Sequence, residues 1–284
     1  MIMLTLLASL LSAVAKTPPL IVDFLDVGQG DAIVLRIEDK AVLIDSGNRG
    51  KPVVTQLKML GVDTLNLAVA SHPHADHIGS MKAVLSSVPV QNYLDNGMPH
   101  TTQTYRSLLT HLEQHTETNY ITATAGQEFA FGSSATLTVL FPASPQLKGT
   151  RSDLNSNSVV LLLKHNKVQM LFTGDAEAVT EQRLIAAGLP NVELLKVGHH
   201  GSKHSSLPNF LQALSPKIAV ISAGKENRYG HPHPDTLARL ATVGAQVYRT
   251  DLSGHIRVVS DGTNIEVFEG SLTELGPFWP LEQL

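Results

Sequence analysis

The segment His72-Pro73-His74-Ala75-Asp76-His77 follows the apolar run Leu65-Asn66-Leu67-Ala68-Val69-Ala70 and precedes apolar residues at helical spacing, Ile78, Met81, Val84 and Leu85. A chain of this kind ends a buried strand on a cluster of imidazoles and starts a helix from it, which commits it to an α/β connection. Alternate residues of an extended segment project the same way, so His72 and His74 can grip one ion. Asp76 and His77 fall where the chain turns into the helix and point at a second ion beside the first. Eight of the 13 histidines lie in three short segments, 72–77, 199–204 and 231–233. An isolated histidine is most simply a solvated or hydrogen-bonded side chain, but clustering on this scale asks for a common cause. With no cysteine in the chain, disulfides, zinc fingers, iron–sulfur clusters and thiol nucleophiles are excluded, and any metal chemistry rests on His, Asp and Glu.

The surrounding pattern is consistent. Ile21–Val27 and Ala32–Ile37 form a hairpin-like pair around Gly28-Gln29-Gly30-Asp31, and a third strand runs to Asp45. A helix with Val53, Val54, Leu57 and Leu60 on one stripe follows, and a single helix is expected from Ile78 through Leu85. Beyond a helix near Thr104 to His115, the middle is β-rich, with His165-Asn166 as a tight turn between two strands, the second of which ends at Asp175. The chain then returns to β-α order, with a helix from about Glu177 to Ala187, a strand ending at Gly198-His199-His200, a helix near Leu207 to Leu214, a helix opened by Pro234 and Asp235, and three closing strands. Strands followed by β-α units in both halves predict an α/β fold with two face-to-face sheets and helices outside, a four-layer αββα sandwich.

At 284 residues and 43% hydrophobic content the chain builds one large core, and no linker divides it. Its formal net charge of -4 gives no overall attraction to a polyanion, so affinity for phosphate must be local. The first 15 residues are uncharged, apolar and end in Ala13-Val14-Ala15, the pattern of a signal peptide cut before Lys16. The expected organisation is a signal peptide at 1–15 and one hydrolase domain at 16–284, secreted or periplasmic, with a retained membrane anchor as the alternative.

His72-Pro73-His74-Ala75-Asp76-His77 is similar to the HxHxDH signature of the metallo-β-lactamase superfamily. Asp45, in Leu43-Ile44-Asp45-Ser46-Gly47, resembles that family's early strand-end aspartate, Asp175 its bridging carboxylate, and His199 or His200 its last histidine. More narrowly, the segments at 24–32, 43–47, 72–80, 171–177, 195–202 and 229–233 resemble the C-terminal soluble domain of the ComEC family of DNA-uptake channel proteins and stand-alone relatives, including the phosphorylcholine esterase type. The resemblance implies a metallo-β-lactamase-fold hydrolase with two divalent ions, zinc or manganese, with magnesium a competitor. His72, His74, Asp76, His77, Asp175 and His199 or His200 would be the ligands, only one of the last two being expected to point inward from a strand end. It further implies a phosphodiesterase or nuclease-like enzyme whose metal-bridging hydroxide attacks a phosphodiester, DNA among the candidate substrates. Asp76 and His231 are the catalytic candidates, His231 as general acid or phosphate contact.

One departure stands out. The superfamily's third histidine has no counterpart, and its loop reads Asp153-Leu154-Asn155-Ser156-Asn157-Ser158, which nominates Asn157 as an oxygen donor or substrate contact. Asp45 is expected to orient histidine ligands from behind. Ser202, Lys203, Arg228 and His233 are candidate substrate contacts, with surface solvation or packing as their simpler roles. Gly28 and Gly30 let backbone approach a substrate or merely turn the chain. Two other functions fit the same residues: a phosphorylcholine-type esterase, for which Trp279 is the one tryptophan available to an aromatic cage, and a metal-binding module without catalysis.

Overall fold

The computed structural model describes residues 17–277, so the signal peptide expected at 1–15 and Trp279 lie outside the described residues. The strands in chain order are β1 (Leu20–Phe24), β2 (Ile33–Ile37), β3 (Lys40–Ile44), β4 (Leu65–Val69), β5 (Val90–Asp95), β6 (Asn119–Thr122), β7 (Glu128–Phe131) and β8 (Ala135–Phe141). They continue as β9 (Val160–His165), β10 (Val168–Phe172), β11 (Leu194–Lys196), β12 (Ile218–Ile221), β13 (Gln246–Arg249), β14 (His255–Ser260) and β15 (Ile265–Gly270). They form an eight-stranded sheet of order β15-β14-β1-β2-β3-β4-β5-β6 and a seven-stranded sheet of order β13-β12-β11-β10-β9-β8-β7. The inner faces meet in one core that includes Phe24, Leu35, Val69, Leu137, Leu161, Met170 and Phe172.

Helices cover both outer faces. Val53 and Leu57 of α1 (Val53–Met59), Met81 and Val84 of a short helix at Met81–Leu85, and Tyr105 and Leu108 of a helix at Gln103–Gln114 pack on the first sheet. Leu184 from Ala178–Ala187, Phe210 and Leu211 from Pro208–Leu214, and Leu240 from Pro234–Thr242 pack on the second. The αββα sandwich expected from the strand and helix order is the architecture found. One local expectation changes. The helix after the histidine segment is two, α2 (Ala75–Ile78) and α3 (Met81–Leu85), because Gly79 is wedged where a Cβ would lie 2.2 Å from the Arg49 amide. Ser80 at the break hydrogen-bonds the Asn48 carbonyl instead of continuing the helix. β5 and β6 have no clear sequence signal, because the polar residues Gln91, Asn92 and Asn119 interrupt the apolar runs. Among the described residues no helix is long and apolar enough to cross a membrane.

What matters for function is where the strands end. β3 and β4 run parallel in the first sheet, and β10, β11 and β12 run parallel in the second. Their C-terminal ends deliver Asp45, the segment from Ser71 to His77, Asp175, His199 with His200, and Ser222 to one edge of the sandwich. Chain ends of parallel strands are where α/β folds place ligands, since backbone pairing there gives way to loops free to carry polar side chains.

Candidate metal centre

Asp175 is the hub. It is 2% exposed, and its two oxygens face different partners. Oδ1 lies 3.3 Å from His77 Nε2 and 3.6 Å from His200 Nε2, whereas Oδ2 lies 3.7 Å from His72 Nε2 and 3.5 Å from His199 Nε2. Asp76 completes the first of these groups, with Oδ2 3.4 Å from His200 Nε2 and 4.0 Å from His77 Nε2. His74 belongs to the second through its Nδ1, 2.8 Å from His72 Nε2.

The rings are aimed from behind. Asp45 accepts hydrogen bonds from the Ser71 amide and hydroxyl, both at 2.7 Å, and its Oδ2 sits 2.8 Å from His77 Nδ1. That leaves His77 Nε2 pointing at Asp175, so Asp45 has the orienting geometry expected of it. His200 Nδ1 is 2.9 Å from the Ser222 carbonyl, again leaving Nε2 inward. His199 Nδ1 is 3.3 Å from Glu177 Oε1, and Arg151 holds Glu177 in turn.

Contrary to the expectation that only one of the tandem histidines turns inward, both do. His199 and His200 adopt left-handed backbone conformations at φ 49° and 54°, inside a 3₁₀ turn at Gly198–Gly201, and this brings both Nε2 atoms to Asp175. Successive side chains of an extended strand alternate sides; two left-handed residues abolish that alternation.

The donor atoms are suited to a cation. His77 Nε2, His200 Nε2 and Asp175 Oδ1 are all buried without a hydrogen-bond partner, although buried polar atoms are normally satisfied. Among the described residues, four groupings each bring three metal-ligating side chains within coordinating reach of one another: His72 with His77 and Asp175, Asp76 with His77 and His200, Asp31 with Asp175 and His200, and Asp31 with Asp45 and His77. Burial disfavours protonation of His77 and His200, but the carboxylates led by Asp175 outweigh it, lifting His77 well above the usual imidazole range and His200 to about 10. Burial likewise opposes ionisation of Asp175 and Asp76, yet His199 and His77 for the former, and His77 and His200 for the latter, keep both carboxyls well below the ordinary range. The cluster therefore demands positive charge, which protons or a divalent ion can supply. His72 and His74 differ. Burial holds both below the usual imidazole pKa, so they stand as neutral lone-pair donors.

Three further candidates are placed elsewhere, and a fourth stands at the mouth. Asn157 is fully buried and spends its amide on Leu147 and Asp153, tying down its own loop; Asn155, not Asn157, turns to the centre, 3.4 Å from His199 Nδ1. Ser202 is buried and braces the following turn, its hydroxyl accepting from the His204 amide. His233 caps the helix at Pro234–Thr242 by accepting from the Asp235 amide. His231 does reach the mouth of the centre, with ring centroid 5.6 Å from His199, and its Nδ1 is buried without a partner. Burial, then His199 and His200, lower its pKa to about 4, which favours a neutral ring and suits the phosphate contact better than the general acid among the two roles expected of it. Asp31, Lys196 and Glu177, which lie in the segments 24–32, 195–202 and 171–177 but had no role expected of them, stand behind the rings.

Comparisons with known proteins agree with this geometry. Residues 25–98 match the Metallo-beta-lactamase superfamily model. The chain is 30% identical over 265 residues to Recombination protein 2 of Haemophilus influenzae, taking in 91% of this chain and 31% of that protein. It is 30% identical over 264 residues to ComE operon protein 3 of Bacillus subtilis, covering 83% of this chain and 32% of the relative. The chain thus spans about a third of the length of these relatives. Among solved structures, the metallo-beta-lactamase fold protein YhfI from Bacillus subtilis superimposes with a TM-score of 0.56 at 14% identity, over 89% of this chain and 100% of that one, a likeness of fold alone.

Proposed function

This chain is a metallo-β-lactamase-fold domain similar to the ComEC/Rec2 proteins, and from that premise we propose that it is a two-metal phosphodiesterase of nuclease-like type. The observation that carries the reading is the division of Asp175: one oxygen faces His77 and His200, the other His72 and His199. His72 and His74, with Asp175 Oδ2, would hold one divalent ion, and Asp76, His77 and His200, with Asp175 Oδ1, the other. Such ions supply an activated water and neutralise the charge that builds on a phosphoryl group. Imidazole and carboxylate donors suit zinc or manganese.

The protein's own residues do the rest. Asp45 and Ser71 fix the orientation of His77. Asp76, about one quarter exposed, is a donor that meets solvent, and a phosphodiester would enter beside it. His231 contacts substrate as a neutral hydrogen-bonding ring at the mouth. DNA is the substrate favoured by similarity to the ComEC family of DNA-uptake channel proteins, and because the net charge is -4, its binding depends on local contacts.

Metal-stripped protein reloaded separately with zinc, manganese or magnesium and assayed on DNA beside a chromogenic phosphodiester tests the reading. Hydrolysis of both, abolished by a chelator and restored by zinc or manganese, is expected. Stoichiometric metal with neither diester cleaved would make the domain a metal-binding module instead.

A further inference from the structure

Two buried charged residues, in the segments 24–32 and 195–202, are not among the residues assigned to hold the metal ions. Lys196, the last residue of β11 in the second sheet, is 0% exposed, and Asp31, in the loop 25–32 of the first sheet, is 1% exposed. Lys196 Nζ lies 2.7 Å from Asp31 Oδ2 and donates to the Val197 carbonyl at 2.9 Å. An ion pair this deep is costly to desolvate, and its neighbours Leu194 and Leu195 show that an apolar side chain would serve packing at this end of the strand. Its use must lie with what it holds.

Asp31 Oδ1 lies 3.3 Å from His200 Nδ1, whose hydrogen bond goes to the Ser222 carbonyl, and is buried with no hydrogen-bond partner among the described residues. Its Oδ2 is 4.0 Å from His77 Nδ1. The Asp31 amide donates to the Asp76 carbonyl at 3.2 Å, and Gly30 beside it comes so close that a Cβ there would meet that carbonyl at 2.3 Å. Asp31 therefore touches two donors of one cluster, Asp76 through backbone and His200 through its ring, and flanks a third. Asp45 already stands behind His77, so a second carboxylate behind these rings leaves excess negative charge, which Lys196 offsets from the opposite sheet. Glu177 with Arg151 repeats the arrangement behind His199.

We propose that Asp31, charge-balanced by Lys196, is a positioning residue that holds His200 and Asp76 in register for the second metal ion, so that this cross-sheet pair sets the affinity of that ion alone. The proposal rests on the two-metal reading of the centre. Carboxylates behind ligating imidazoles typically govern metal affinity by about 10- to 100-fold.

The test is calorimetric titration of metal-free protein with Zn²⁺ or Mn²⁺ alone, with thermal melts in parallel, on the wild type, D31N/K196Q and Asp31→Glu. The double variant removes both charges together and keeps hydrogen-bonding groups, so it leaves no lone buried ion. It is expected to fold, to bind the first equivalent as the wild type does, and to bind the second about 10- to 100-fold more weakly. If Asp31 served only to neutralise Lys196, removing both would restore wild-type binding, and two wild-type affinities in the double variant overturn the proposal. Should the double variant not fold, Asp31→Glu decides, since it keeps the counter-charge for Lys196 but displaces the carboxylate: a weakened second equivalent supports the proposal and an unchanged one overturns it. A wild-type protein that takes up no second equivalent overturns the two-metal reading and this proposal with it, and is told apart because the failure shows before any substitution.

Discussion

Five imidazoles surround Asp175, yet they are not in one electrostatic state. His77 and His200 sit among carboxylates that favour a bound proton, while burial keeps His72 and His74 neutral. A metal ion arriving beside His77 and His200 must displace protons, whereas His72 and His74 offer lone pairs directly. His231 belongs with the neutral group. Its pKa of about 4 results first from burial and then from the neighbouring rings of His199 and His200, and added divalent charge pushes in the same direction. The expected outcome for His231→Ala is therefore a raised KM with metal content intact and a similar loss for p-nitrophenyl and alkyl leaving groups. Steady-state kinetics on the two diesters checks this. A fall in kcat confined to the alkyl leaving group would identify His231 as the proton donor after all.

At the scale of elements, the centre is a convergence of strand ends, and that part was open to sequence reading. His72, His74, Asp76 and His77 are local in the chain, framed by an apolar strand and apolar helical residues, so their spacing alone carries the message. Asp45 and Asp175 each terminate an apolar run, but their expected roles came from the resemblance to the metallo-β-lactamase superfamily. The tandem His199-His200 was legible as a cluster but not in its geometry, because the left-handed turn that aims both rings depends on packing of Gly198 and Gly201 against Ser205 and Pro232. Asp31 and Lys196 were not legible. Each reads as an ordinary loop or strand residue, and only the pairing of two sheets makes them partners. Asn157 and Ser202 were misassigned for the converse reason: polar residues in a loop beside a site hold the loop as often as they face the ligand.

The helix at Ala178–Ala187 supports the histidine loop through Glu181, which accepts from the Leu207 amide at 3.0 Å and from the Ser206 amide. Burial outweighs those hydrogen bonds and pushes Glu181 from 4.5 up to about 7. The folded carboxyl thus holds its proton more tightly than the unfolded one. Its stabilising contribution is complete below about 4.5 and declines as pH rises towards 7, by at most about 1.4 kcal/mol per pH unit. Glu181→Gln cannot ionise and should lose this decline. Melting temperatures of both proteins across that window would show the variant gaining on the wild type as pH rises; parallel curves would mean that Glu181 does not titrate there.

At the scale of the whole molecule, charge is used to fasten parts that hydrophobic burial cannot orient. Asp23 on β1 pairs with Arg257 on β14 at 2.6 Å and with Arg36 on β2 at 2.8 Å, and the two arginines donate to the carbonyls of Leu275, Gly276 and Pro277, securing the helix at Leu272–Leu275 and the chain after it over the first sheet. Asp31 and Lys196 do the same between sheets, beside the metal centre. The central claim is that Asp175 serves both halves of that centre at once, and metal counting by mass spectrometry on folded Asp175→Asn beside the wild type tests it most directly. An amide keeps the size of the side chain but removes the charge that offsets two divalent ions. Two equivalents in the wild type and loss from both sites in the variant, with less than about one remaining, is the result this account predicts; an Asp175→Asn protein that keeps two equivalents and normal turnover would contradict it.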